Sequence, residues 1–425
     1  MKKKVLFSVI ALALVALVAL PLFAACKAPV TPAAKDKIVV GMSRPLSGPI
    51  AIIGDSGFKP IYDTLVPKWN AEGGIYLAEY GKKLPIELVI YDDKSDVGTM
   101  TRLTEKLILE DKVDFLWPAC GTAFIYGQAP IANKYNYLHI AAEGGATTLK
   151  DALPTLPYTF ITLSFSDWYQ LPVLADMWAA AGVKTAYVTY IADLHGIEYS
   201  GVAGIEFSRV GINIVGNVSL PPELKDFAPI IMDAKASGAD AFCCFGYPDQ
   251  VMPVTGTAIA LGYNPKAFIC GPGANFGFYH TAFGPAVEGV CGFITYARKC
   301  SPELNAMADE LYAGKPEEAQ DWWGHGCYWG AWEFWKQAVE KAGTIDQKKV
   351  RDIFATEHFN TVLGDTSFTT FSGGGGLMAK EAHAGEIGQW QNGVYEVVGG
   401  GPWPNTKITA PFIYPKPAWP GAPAQ

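Results

Sequence analysis

The chain has 425 residues, half of them apolar, with 33 Lys and Arg against 41 Asp and Glu for a net charge of −8. That length exceeds one simple core and implies two or three domains. An acidic balance without a basic patch argues against nucleic acid or anionic lipid surfaces as partners.

The first element is a leader. Lys2, Lys3 and Lys4 precede an uncharged apolar run from Val5 to Ala25, which stops at Phe23-Ala24-Ala25-Cys26. A basic n-region, an apolar h-region and small residues before a cleavage point make a secretory signal. The run is also long enough to span a bilayer, but Pro21 and the Ala-Ala-Cys ending suit a processing site better. This ending resembles the lipobox of bacterial lipoproteins, with Phe23 where leucine is usual. The resemblance implies that residues 1–25 are removed and that Cys26 becomes an acylated N-terminus outside the cytoplasmic membrane. Residues 26–36 are a short Pro/Ala/Lys tether.

From Lys37 apolar strands alternate with amphipathic helices. KIVVGMS reads as a strand, Ser56 to Ala71 as a helix ending at Gly73-Gly74, and IELVIYDD as a strand. Val97 to Asp111 is a helix with Leu103, Leu107 and Ile108 on one face. VDFLWPA is a strand, Ile125 to Tyr135 a helix and YLHIAA a strand. The pattern pauses near Tyr158–Ser166 and restarts with a helix from Tyr169 to Ala181. TAYVTYI, NIVGNVSL, ADAFCCF and AFICGPG are then strands, separated by helices at Gly201 to Val210, Phe227 to Ala236 and Gln250 to Leu261. Ser301 to Ala342 reads as helical, and its tryptophans from Trp322 to Trp335 have the spacing of a core face. A helix follows around Lys348–Ala355. EIGQWQNGVYEVV is a hairpin turning at Asn392-Gly393, and the residues after Gly399 form a Pro-rich extended tail. The alternation predicts an α/β fold of two Rossmann-like units, each a parallel sheet covered by helices on both sides.

Seven cysteines remain besides Cys26, an odd number that argues against a complete disulfide framework. They read as small buried apolar residues, with one Cys291–Cys300 bridge as the alternative. No H-E-x-x-H, G-x-S-x-G or G-x-x-x-x-G-K-[ST] occurs, and the six histidines are scattered. No catalytic residue, metal or cofactor is expected.

KIVVGMSRPLSGPIAIIGDSG, with IELVIYDDKSD, LTEKLILEDKVDFL and ADAFCCFGYPDQ, resembles the type I periplasmic binding proteins of the branched-chain amino-acid branch. Those are solute receptors for ABC importers, and the likeness covers nearly all of 37–398. It implies two lobes joined by three crossing segments, near Phe160, Ile294–Tyr296 and Glu386–Gln389, that close on ligand like a hinge. Lobe 1 would be 37–160 with 295–386, lobe 2 would be 161–294 with 387–399, and 400–425 the tail. The expected protein is a monomeric, extracytoplasmic, non-enzymatic receptor. Its partners would be a small-molecule ligand, ABC permease subunits and, through the lipid, the membrane. The alternative is a sensor of the same fold signalling to a membrane partner. Sensors usually continue into a transmembrane or signalling segment, whereas this chain ends in the tail, which favours transport.

In open parallel sheets ligands lie outside the carboxyl ends of the strands. Helix N-termini there offer free N–H groups to a carboxylate. Matching loop to loop places Cys120, Gly121 and Thr122 at one carboxylate-holding position and Glu143, Gly144 and Gly145 at the other. The family commonly has Ala-x-Thr at the second. Gly145 removes that hydroxyl, and Glu143 adds a repelling charge unless an ion pair across the loop takes it up. Tyr247 matches a cleft aromatic and His195 falls where another often lies, with core packing as the plain alternative for each. Trp168 is a stacking platform or hinge packing, and Arg44 an anion-binding group or a salt-bridge partner. Ile53 joins them as a ligand contact. Gly273 stands where family members carry the carboxylate that grips a ligand ammonium group. An unpartnered ammonium is costly to desolvate. The expected ligand is therefore a small polar or carboxylated solute with an unsaturated or aromatic part, in preference to leucine-like amino acids, although Glu143 could restore the charge from the opposite wall.

Overall fold

Strand Ile38–Arg44 pairs in parallel with Ile86–Asp92 on one side and Phe115–Trp117 on the other. Its register sets Arg44 opposite Asp92, so these strands finish at one edge. The computed structural model describes residues 35–144, 147–162, 169–316, 319–379 and 383–420. Cys26, Gly145 and Trp168, each singled out in the sequence, lie outside them.

The first lobe continues in a four-stranded sheet ordered Phe368–Thr370, Gly376–Met378, Thr159–Ile161 and His139–Ala141. Strand Thr159–Ile161 occupies the stretch where the sequence pattern pauses. At three residues it is too short to show a period of two. The second lobe is a seven-stranded sheet ordered Val394–Gly399, Ile387–Gln391, Cys291–Phe293, Ala267–Gly271, Ala241–Phe245, Thr185–Ile191 and Asn213–Leu220. Its strands are parallel except at the Asn392-Gly393 hairpin, whose first strand runs antiparallel to Cys291–Phe293. The fold is thus α/β with two lobes, as the alternation predicts.

Several helix boundaries differ from expectation, and two of the larger differences bear on the cleft. The helix placed at Gly201 begins instead at Leu194 and runs to Arg209, because Asp193 caps it by accepting from Gly196 N at 3.0 Å. The helical stretch from Ser301 divides into Pro302–Leu311 and Gly324–Ala342. The break exposes Asp321 to the cleft and separates Trp322 and Trp323 from the helical tryptophans. Trp332 stacks on Trp117 with ring centroids 3.8 Å apart, and Trp335 meets Trp117 edge-on at 5.8 Å. Those two are core, as their spacing predicts, since large apolar rings gain most by leaving water.

All seven cysteines in the described residues are buried and none is in a disulfide. Cys291 and Cys300 therefore do not pair, and the bridge considered from sequence is corrected. Ile294 N donates to Glu386 O at 3.1 Å, which sets two of the expected crossing segments side by side. The chain after Gly399 has no helix or strand to residue 420, yet it is strapped to the second lobe. Gln389 exchanges bonds of 3.0 and 2.9 Å with the backbone of Ile413, and the buried Trp419 donates to Tyr263 O at 2.5 Å.

His139 is fully buried, with Nε2 3.2 Å from Gln128 Oε1 and Nδ1 3.4 Å from Thr159 Oγ1. Burial pushes its imidazole from 6.5 down to about 3. The folded value lies below the free one, so the unfolded chain binds the proton first. Stability is then full above about pH 6.5 and is lost as the pH falls toward 3. Denaturant titrations should show wild type losing about 2 kcal/mol more than His139→Asn between roughly pH 6.5 and 4.5. Parallel pH profiles for the two proteins would contradict this.

Candidate functional site

A cavity lies where the carboxyl ends of the two sheets meet. From the first lobe it is lined by Ile50, Ile53, Phe58, Cys120, Gly121, Thr122, Glu143 and Gly144, and from the second by His195, Tyr247, Pro272 and Phe276. Asp321, Trp323 and Gly324 complete it from the break between the two helices. The free volume is about 30 Å³, room for little more than one or two waters.

On the first-lobe wall, helix Thr122–Lys134 starts immediately after Gly121, whose φ of +99° favours a residue without Cβ. No side chain caps this helix. Its first N–H groups and the Thr122 hydroxyl, which has no protein partner among the described residues, therefore remain for a ligand. Glu143, after strand His139–Ala141, accepts two bonds from Arg44 Nη1, at 2.5 and 2.6 Å. Both side chains are excluded from solvent. The same nitrogen donates to Pro118 O at 3.2 Å, and Gly121 N donates to Glu143 O at 3.0 Å. One guanidinium thus ties three strand ends together. Burial pushes the Glu143 carboxyl up while Arg44 opposes it. The Tyr328 hydroxyl stands near this carboxylate without a formed hydrogen bond.

Arg44 therefore spends its charge on Glu143, and it does not line the cavity. Gly273 does not line it either. A Cβ at Gly273 would stand 2.6 Å from Val251 Cγ1, so this backbone leaves no room for the carboxylate that relatives carry there.

On the second-lobe wall, the His195 ring stacks on Tyr247 at 5.1 Å and 20°. Its Nε2 is buried without a partner. Burial pushes the His195 imidazole down, against the pull of Asp193. The Tyr247 hydroxyl is pushed well up by burial, reinforced by the nearby Asp193 carboxylate. Both rings are neutral, and with Phe58, Phe276 and Trp323 they make the cavity largely aromatic.

The sequence reading missed Asp321. Segment Gln320–Trp322 runs beside Asn275–Gly277, with Gly277 N to Gln320 O at 2.7 Å and Trp322 N to Asn275 O at 3.1 Å. The Asp321 carboxylate accepts from Asn275 Nδ2 at 2.7 Å, Trp323 N at 2.9 Å and Gly324 N at 3.0 Å. The Asp-Trp-Trp-Gly stretch before an apolar helix was a legible capping signal. It was overlooked because the tryptophans made the stretch read as one helix.

A family model described as periplasmic binding protein matches residues 37–387. The Leu/Ile/Val-binding protein homolog 6 of Brucella abortus is 25% identical over 215 residues, 49% of this chain and 51% of that protein. The matched chain thus spans about half the length of this curated relative. A solute-binding protein of an ABC transporter from Rhodopseudomonas palustris BisB5, solved with 3,4-dihydroxybenzoic acid, superposes with a TM-score of 0.72 at 18% identity, covering 88% of this chain and 99% of that one. The branched-chain amino-acid transporter protein LivJ of Streptococcus pneumoniae, solved with isoleucine, gives 0.71 at 17% identity, covering 89% and 100%. The fold and its cleft define a two-lobed binding protein. The chain belongs to the periplasmic binding protein family.

Removing one partner of a buried pair strands the other charge at a cost of about 3–5 kcal/mol. Arg44→Met and Glu143→Leu should each destabilise by that order, while the double variant recovers most of the loss. Tryptophan-fluorescence denaturation reads this directly. A double variant as unstable as the sum of the singles would show that the pair is not coupled.

Proposed function

We propose that this chain is an extracytoplasmic solute receptor. It captures a small polar or carboxylated organic solute, amino-acid-like or an aromatic acid, between two closing lobes and presents it to the permease of an ABC importer. The observation that carries this reading is the cavity at the facing carboxyl ends of the two sheets, with an uncapped helix start on one wall and aromatic rings on the other. A ligand carboxylate would sit at Gly121 and Thr122, and its apolar part against Tyr247, His195 and Phe276. Trp168 and Gly145 belong to the same proposed contact set. The fold neighbours lend support, since one was solved with an aromatic acid and another with an amino acid.

We assign 37–160 with 295–386 to the first lobe and 161–294 with 387–399 to the second. A solute of either class needs far more than the present free volume, so the lobes have to part to admit it and close again. Family membership places such a receptor outside the cytoplasm, and among the described residues no helix is long and apolar enough to cross a membrane. The leader supports anchoring through an acylated Cys26, which requires more than one acyl chain to hold stably. No chemistry on the solute is expected of it, and it would work as a monomer.

Two measurements test this. Solution scattering should report a smaller radius of gyration once a tight-binding solute is added to ligand-free protein, whereas identical profiles at saturation would exclude closure as the working motion. In cells, Cys26→Ser should release the protein or leave an unprocessed precursor. A processed mutant still fractionating with membranes would sink the anchor.

A further inference from the structure

Residues 400–420 contain no helix or strand, yet they follow a defined course over both lobes. An ordered run of that length without regular structure is uncommon in a compact fold and usually has a role in function. It starts at the hinge. Gly399 O accepts from Glu386 N at 2.9 Å, and Glu386 O accepts from Ile294 N at 3.1 Å, so its first residue adjoins two crossing segments. The chain then dips onto the first lobe. Trp403 packs against the cluster that holds Leu153 and Leu377, with the His383 ring at 5.9 Å and the Tyr169 ring at 5.5 Å. Lys407 N donates to Ala384 O at 2.8 Å, and a Cβ at Gly364 would stand 3.1 Å from Asn405 Nδ2. By Thr409 the chain is on the second lobe. Thr409 N donates to Val397 O at 2.9 Å, and Thr409 Oγ1 accepts from Val397 N at 2.8 Å. Gln391 Nε2 then donates to Pro411 O at 2.8 Å, and Lys416 N to Lys266 O at 2.8 Å.

The two anchorages differ in strength. On the second lobe, Lys416 and Trp419 are 2% and 1% exposed, and Trp419 packs edge-on against Phe268 at 5.5 Å. On the first lobe, Trp403 and Asn405 are only half-buried and Lys407 is exposed. A cavity of about 180 Å³ separates Asn405 and Lys407 from Ser301, Leu304 and Leu363. Packing with such a gap forfeits dispersion contacts, so the first-lobe end is the one that releases more easily. We propose that residues 400–420 are a fourth connection between the lobes, a strap whose first-lobe end lets go as the lobes part and which biases the solute-free receptor toward the closed arrangement. This rests on the two-lobed receptor reading. The contacts are made while the cleft cavity has only about 30 Å³ free, so what they contribute favours that arrangement over one in which they are broken. No strap residue lines that cavity. The strap therefore acts on affinity from outside the site, because a larger closed fraction raises the apparent affinity for any solute that the closed form holds.

Slackening the strap tests this without removing a contact. Ile408, 51% exposed, is the residue between the first-lobe contact at Lys407 and the second-lobe contact at Thr409. Inserting about six Gly and Ser residues after Ile408 keeps both anchorages and uncouples one from the other. In solution scattering without solute, the insertion variant should show a larger radius of gyration than wild type, and it should melt like wild type. Calorimetry with leucine and with benzoate should find whichever of them binds wild type held about 3- to 10-fold more weakly by the variant. Trp403→Ala loosens the first-lobe anchorage and should give the same expansion. Combining it with the insertion should add nothing, since both remove one restraint. Identical solute-free profiles for wild type and the insertion variant overturn the strap, whatever any solute does. A smaller radius, tighter binding or additive effects in the combined variant overturn it as well. If wild type neither binds nor closes on any solute, the receptor reading fails, and the solute-free profiles still decide the strap.

Discussion

A guanidinium and a carboxylate withdrawn from water together set the geometry of the first-lobe wall. Alone, either charge would be intolerable at that depth. Paired, they become a clamp, because Arg44 ends one strand, Pro118 follows the next, and Glu143 follows the one beyond. The Glu143 carbonyl then takes the N–H of Gly121, which fixes where helix Thr122–Lys134 begins. The uncapped helix start, the hydroxyl beside it and the floor of the cavity are all downstream of this ion pair. Because the pair is internally neutral, it shapes the cleft without contributing net charge to it.

The rest of the cleft follows from that neutrality. With Arg44 and Glu143 cancelling, and with His195 and Tyr247 uncharged, the polar groups left to face the cavity include Asp321 and the N–H groups of an uncapped helix start. The two helices that start at the cavity, Thr122–Lys134 and Gly324–Ala342, differ there. One start is open, whereas the other is occupied by the Asp321 side chain.

How far the sequence reveals this depends on the length scale of each signal. Seven- and eight-residue strands such as Thr185–Ile191 and Asn213–Leu220 were legible to the residue, and so was the Asn392-Gly393 hairpin, because period and turn chemistry agree there. Thr159–Ile161 was not, since three residues cannot display a period. The first turn of helix Leu194–Arg209 was hidden because Asp193-Leu194-His195-Gly196 reads equally well as a loop. At the site, the residues on strand ends could be located by topology alone, and Ile53, Thr122, Glu143, His195 and Tyr247 do line one cavity. What topology could not reveal was which charges meet. Arg44 and Glu143 are 99 residues apart in sequence, and Asp321 reaches the cleft only because a helix breaks where the tryptophans suggested continuity.

The seven thiols have a practical consequence. Each is buried and outside any disulfide, so with the lobes closed none among the described residues is placed to react with a bulky aqueous reagent. A single cysteine introduced at an exposed rim position would be the accessible thiol of the described structure. Ile197, 57% exposed on the first turn of the helix that carries His195, is such a position. A dye attached there would ride on one lip of the cleft, with no native cysteine removed, and its emission would follow solute capture in real time.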